Sequence, residues 1–193
     1  MPTELGEPFF AALDYAARLH NQQRRKASDV PYVAHLLSVA AIVIEHGGSQ
    51  IEAIAALLHD AVEDQGGADQ LAEIERRFGG EVARIVAACT DTDETPKPPW
   101  RARKEQHVAH AAVADASVRL VLAADKLHNG RAILADLRRH GDAVWSRFKG
   151  RRDGTLWYYR AMLAALTSAG DEHAALLDEL GRVVAELEQA TAP

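Results

Sequence analysis

The 193-residue chain is poor in sulfur, with one cysteine, Cys89, and two methionines. A lone cysteine excludes an internal disulfide and fits a reducing compartment. Nowhere does the sequence approach the ~20 uninterrupted apolar residues that a membrane-spanning helix needs. The start, Met1-Pro2-Thr3-Glu4, has neither a basic segment nor an apolar run, so no signal peptide is expected and the cytoplasm is the expected location. Period-two alternation of apolar and polar residues is missing, which argues against strands. Internal repeats and low-complexity segments are missing too. Basic residues are in deficit, 22 against 28 acidic, for a net charge of −6. A general nucleic-acid binder shows the opposite balance, so no nucleic-acid partner is expected.

What is present reads as a globular helical domain. Apolar residues make up 48% and charged residues 26% of the chain, close to the average for soluble domains and enough for a core without disulfides. Apolar residues recur at helical spacing over Glu7 to Gln22, from Pro31 to a stop at Gly47-Gly48, and over Ile51 to Glu63. Shorter helices are expected over Leu71 to Phe78 and Val82 to Ala88, then a proline-rich acidic loop from Asp91 to Pro99. Arg101 to Ala114, Val118 to Arg139, Thr155 to Leu166 and Glu172 to Glu188 complete the set. The expectation is an all-α fold, a single bundle of roughly nine or ten helices over residues 1–193. Its C-terminal helix, 172–188, covers the core or makes a dimer, so monomer and homodimer both stay open.

Histidines and acids sit where an apolar helix has no need of them. His35 is flanked by Ala34, Leu36 and Leu37. His59-Asp60 follows directly on Ala56-Leu57-Leu58, with Glu63-Asp64 one turn later. On one continuous helix His59, Asp60, Glu63 and Asp64 fall within an arc of about 140°. Carboxylates this close repel, and burying them is expensive unless a cation or hydrogen bonds compensate. Asp125 stands in mid-helix in Leu122-Ala123-Ala124-Asp125-Lys126, where its propensity is poor, and Asn129 shares its face. Each residue also has a plain reading: a satisfied core histidine, a solvated acidic helix end, a salt bridge to a buried Lys or Arg. Together they fit two imidazoles and two carboxylates around one divalent ion, which acidifies water for attack on phosphorus.

These residues, in this order, resemble the H…HD…D pattern of HD-domain metal-dependent phosphohydrolases. Gln23-Arg24-Arg25-Lys26 with Pro31-Tyr32-Val33-Ala34-His35, then Leu57-Leu58-His59-Asp60-Ala61-Val62-Glu63-Asp64, then Ala124-Asp125-Lys126-Leu127-His128-Asn129, are similar to the motifs of the RelA/SpoT-type small alarmone hydrolases. The likeness runs from about Phe10 to about Leu166. It implies a hydrolase that removes the 3′-pyrophosphate of (p)ppGpp, giving GDP or GTP and pyrophosphate. It implies Mn²⁺, or another divalent transition ion such as Fe, Co, Ni or Zn, on His35, His59, Asp60 and Asp125. Glu63 and Asp64 would then position or deprotonate the attacking water. Arg24, Arg25, Lys26 and Asn129 would contact the nucleotide.

Arg147, in the basic stretch before Arg152, is a further candidate for the substrate's phosphates or an ordinary surface residue. Gln65 departs from the family pattern, which usually has Thr after Glu-Asp. With the chain ending at Pro193, a stand-alone hydrolase without a synthetase domain is expected. Two other functions stay open: an HD phosphohydrolase for another nucleotide such as (p)ppApp or a nucleoside phosphate, and a catalytically silent nucleotide-binding HD domain.

Overall fold

In a computed structural model of the chain, residues 3–25, 29–92 and 96–191 are described. They form ten α-helices and one 3-10 helix, Gly141–Arg147, without a β-strand among the described residues beyond a single bridge between Arg24 and Pro31. The all-α expectation is met. The chain divides into two compact units, Met1–Lys97 and Pro98–Pro193.

The first unit is built around a helix that starts at a capping box. Ser49 Oγ accepts from the Glu52 amide, and the Glu52 carboxylate accepts from the Ser49 amide. This satisfies two of the orphan donors of a helix start. From there α3, Gln50–Leu58, runs with Ala53, Ile54, Ala55, Ala56, Leu57 and Leu58 all buried. A helix apolar on every side belongs at the centre of a unit. It packs against α1 (Glu7–Leu19), α2 (Val33–Glu45) and α6 (Gly80–Cys89). The short α4 (Ala61–Gln65) and α5 (Gly67–Phe78) complete the unit.

One expectation needs correcting. Ile51 to Glu63 is not one helix: α3 stops at Leu58, His59 and Asp60 form a turn, and α4 begins at Ala61. The imidazole provides a physical reason. His59 Nδ1 bonds back to the Ala56 carbonyl at 2.8 Å, so the side chain takes over a carbonyl of the last turn. Asp60, at φ −98° and ψ −2°, occupies the sparsely populated bridge region. The arc that one continuous helix would give these four residues is therefore not the geometry of the site. Gly66, at φ +138°, turns the chain from α4 into α5 in a conformation that a side chain would oppose.

The second unit is organised by α8, Ala116–His140, capped by Asp115, whose carboxylate accepts from the Val118 amide. α10 (Ala174–Gln189) packs on α8 and on α9 (Arg151–Ser168), and α7 (Trp100–Ala111) packs on α9. Gly130 lets α8 and α10 come close, since a Cβ there would lie 2.6 Å from Val183 Cγ1. No described helix is long and apolar enough to cross a membrane.

Candidate functional site

In the first unit His59 and Asp60, on the turn after α3, meet His35 of α2 in a His–His–Asp cluster. His35 and His59 are buried, at 1% and 4% exposure, with ring centroids 5.1 Å apart at 70°. Their Nε2 atoms lie 3.4 Å and 3.1 Å from Asp60 Oδ2. The Ala56 carbonyl can only accept, so the Nδ1 of His59 carries the proton and Nε2 is the unprotonated nitrogen of a neutral ring. A bare imidazole nitrogen facing a carboxylate oxygen at 3.1 Å is repulsive unless a proton or a cation lies between them. Two buried imidazoles and a part-exposed carboxylate, with one ring already oriented by a carbonyl, form a donor set that suits a divalent transition ion.

A residue that sequence reasoning left without a role joins this cluster. The Tyr32 hydroxyl donates to Asp60 Oδ2 at 2.5 Å. Its ring stacks on His20 at 5.4 Å and meets His35 edge-on at 5.5 Å. Tyr32 is fixed from both sides, because its amide donates to the Gln23 carbonyl at 3.0 Å.

Glu63 and Asp64 lie on α4, one turn beyond, and each is engaged. Lys97 Nζ donates to Glu63 Oε1 at 2.9 Å. Gln23 Nε2 donates to Asp64 Oδ2 at 2.7 Å. Lys97 comes from the proline-rich loop, where its spacing gave no sign of a partner 34 residues away.

Arg24 and Arg25 stand on the loop that joins α1 to α2. The Arg25 amide bonds the Val30 carbonyl at 2.9 Å and closes that loop. The Arg24 guanidinium is exposed and donates to the carbonyls of Asn21 and Gln23. Lys26 lies outside the described residues.

In the second unit Asp125 is 8% exposed on α8. Lys126 Nζ stands 2.7 Å from its Oδ2, and Asn129 Nδ2 donates to its Oδ1 at 2.5 Å. The salt-bridge reading of Asp125 and the reading of Asn129 as its polar companion both hold within α8. Burial opposes the charge on Lys126. Although burial is the largest single influence, the Asp125 carboxylate, the fields of Tyr158 and Tyr159 and the hydrogen bond to Asp125 together outweigh it and hold the ammonium well above the ordinary lysine range. Arg147 is paired with Asp136, Nη1 to Oδ2, at 3.0 Å.

An all-α fold with a His–His–Asp cluster in this motif order defines a class. The chain belongs to the HD domain family, whose profile matches residues 12–156, and within it to the MESH1-like group. It is similar to guanosine-3′,5′-bis(diphosphate) 3′-pyrophosphohydrolase MESH1 of Xenopus tropicalis, 41% identical over 138 residues that cover 70% of this chain and 72% of that one. The Drosophila melanogaster MESH1 is 32% identical over 185 residues, covering 94% of this chain and 97% of that one. Among solved structures, a metazoan ortholog of SpoT described as hydrolysing ppGpp superposes with a TM-score of 0.75 at 31% identity, over 93% of this chain and 97% of that one.

Proposed function

We propose that this protein hydrolyses the 3′-pyrophosphate of ppGpp, with water as co-substrate and GDP and pyrophosphate as products. The observation that carries the reading is the likeness to the MESH1 pyrophosphohydrolases, 40% identical to the human protein over 72% of this chain. The His–His–Asp cluster supplies the chemistry such a reaction needs. In this reading residues 1–193 work as one hydrolase domain on a small-molecule nucleotide, in the cytoplasm, without a nucleic-acid partner, as a monomer or homodimer.

We assign His35, His59, Asp60 and Asp125 as the holders of one divalent ion, Mn²⁺ in the first instance. Such an ion, when bound, acidifies water and offsets the charge of a pyrophosphate. The buried imidazoles and the shared Asp60 oxygen support the first three assignments. Asp125 is supported by its burial as a carboxylate and by the motif it stands in. Tyr32 holds the Asp60 carboxylate in one orientation, and Asn129 with Lys126 does the same for Asp125.

Glu63 and Asp64 are the proposed groups that orient water and take its proton. Their carboxylates suit that role beside a cation. Arg25 and Lys26 are assigned to the nucleotide, with the Arg25 guanidinium suited to stacking on a base. Arg24, Asn129 and Arg147 are the remaining assigned contacts. Arg147 would have to exchange Asp136 for a phosphate.

A product assay tests the whole reading. Purified protein with Mn²⁺ is given ppGpp, ppApp or GTP, with a chelator control. Release of GDP and pyrophosphate from ppGpp that stops on chelation is the expected result. Preference for ppApp would move the base specificity to adenine. Absence of turnover of all three by metal-loaded protein would overturn the alarmone assignment.

A further inference from the structure

Asp64 is held by a side chain that is itself held on two sides. Gln23 Nε2 donates to Asp64 Oδ2 at 2.7 Å. The Gln23 Oε1 accepts from Gln65 Nε2 at 2.8 Å and lies 2.7 Å from His20 Nδ1. Donor and acceptor accounting fixes the sense of this network. An ionised carboxylate only accepts, so the Gln23 amide must turn its NH₂ toward Asp64. Its carbonyl then faces Gln65 and His20, so His20 carries its proton on Nδ1. The opposite orientation would set oxygen against oxygen at Asp64 and NH₂ against NH₂ at Gln65.

His20 is 1% exposed and stacks on Tyr32, which donates to Asp60. One buried ring thus backs both the Asp60 side and the Asp64 side of the site. Gln65 is one of the positions where the sequence departs from the family pattern, and here its amide is used inside the network.

We propose that Gln23 is a positioning residue for the Asp64 carboxylate, locked in its donating orientation by His20 and Gln65. This rests on the assignment of Asp64 to the attacking water. Fixing one oxygen of Asp64 leaves the other at a defined direction for water, and such supporting bonds are worth about 10- to 100-fold in activity.

The test uses two near-isosteric variants, Gln23→Glu and Gln23→Met, with Asp64→Ala as the reference. Both Gln23 variants should lower kcat about 10-fold or more, with KM, bound metal and helical content unchanged. In the Asp64→Ala background they should lower it no further, because coupled residues are non-additive. A second readout needs no turnover. The Gln23 side-chain NH₂ signals in ¹⁵N NMR should move in Asp64→Ala and in Gln65→Thr.

A Gln23→Met enzyme with wild-type kcat, beside a crippled Asp64→Ala enzyme, would overturn the positioning role alone. Additive losses in the double variant would do the same, as would NH₂ signals that ignore Asp64→Ala. Full turnover by Asp64→Ala would overturn the assignment of Asp64 and this inference with it.

Discussion

The hydroxyl of Tyr32 stabilises one oxygen, Asp60 Oδ2, that two imidazoles also face. Tyr32→Phe removes that donor and keeps the ring stacked on His20. Divalent-ion affinity should fall about 10- to 100-fold, read by competition with a chromogenic chelator, while the fold is kept. His59→Ala and Asp125→Ala should lose both bound metal and turnover and keep a helical circular dichroism spectrum. Full turnover by either would undo its assignment as a ligand. Glu63→Ala should keep its metal and lose about 10²- to 10⁴-fold in rate, the usual worth of a general base. If metal content falls with it, Glu63 is a ligand. At this scale the sequence showed the acids and histidines, because each sat against the apolar pattern around it. It did not show Tyr32, Gln23 or Lys97 as partners. Their bonds are made across tertiary distance, and a tyrosine or a loop lysine breaks no local rule.

Helices were legible in existence and order, since periodicity and glycine stops are written locally. The break between α3 and α4 was not, because Leu57 to Asp64 keeps helical spacing through it. The cause is a side chain bonding its own backbone, an alternative that residue spacing does not reveal. Gly130 is another feature of packing. Gly130→Ala sets a methyl against Val183 and Tyr159, and overpacking of this kind costs about 1–3 kcal/mol. A lowered urea midpoint with an unchanged m-value is expected. On α5, Arg76 and then Arg77 hydrogen-bond Glu73 and hold its carboxyl down at about 2. A carboxyl lowered in the folded state favours folding above the ordinary carboxylate range and loses that advantage as pH falls through about 2. NMR titration of Glu73 should show this midpoint, drifting upward as salt screens the arginines.

For the molecule as a whole, a ligand that binds only the folded chain raises its stability by mass action. At 100 times its dissociation constant the divalent ion should add about 2.7 kcal/mol, seen as a rise in melting temperature that a chelator reverses. Asp125→Ala should abolish the rise. If that variant responds to Mn²⁺ like the wild type, Asp125 is no ligand. The charge balance, the helical class and the motif order were all legible in the sequence, because they are sums over the chain or fixed in its order. The division at Lys97 was not, since the proline-rich loop there reads like any other connection.

That division has an optical consequence. All three tryptophans, Trp100, Trp145 and Trp157, belong to the second unit. Indole emission excited at the red edge therefore arises within Pro98–Pro193, and no indole belongs to the half that carries His35, His59 and Asp60. Circular dichroism sees the helices of both. A melt followed by the two signals tests cooperativity without a label: coincident curves mean one transition, and separated curves resolve which half lets go first.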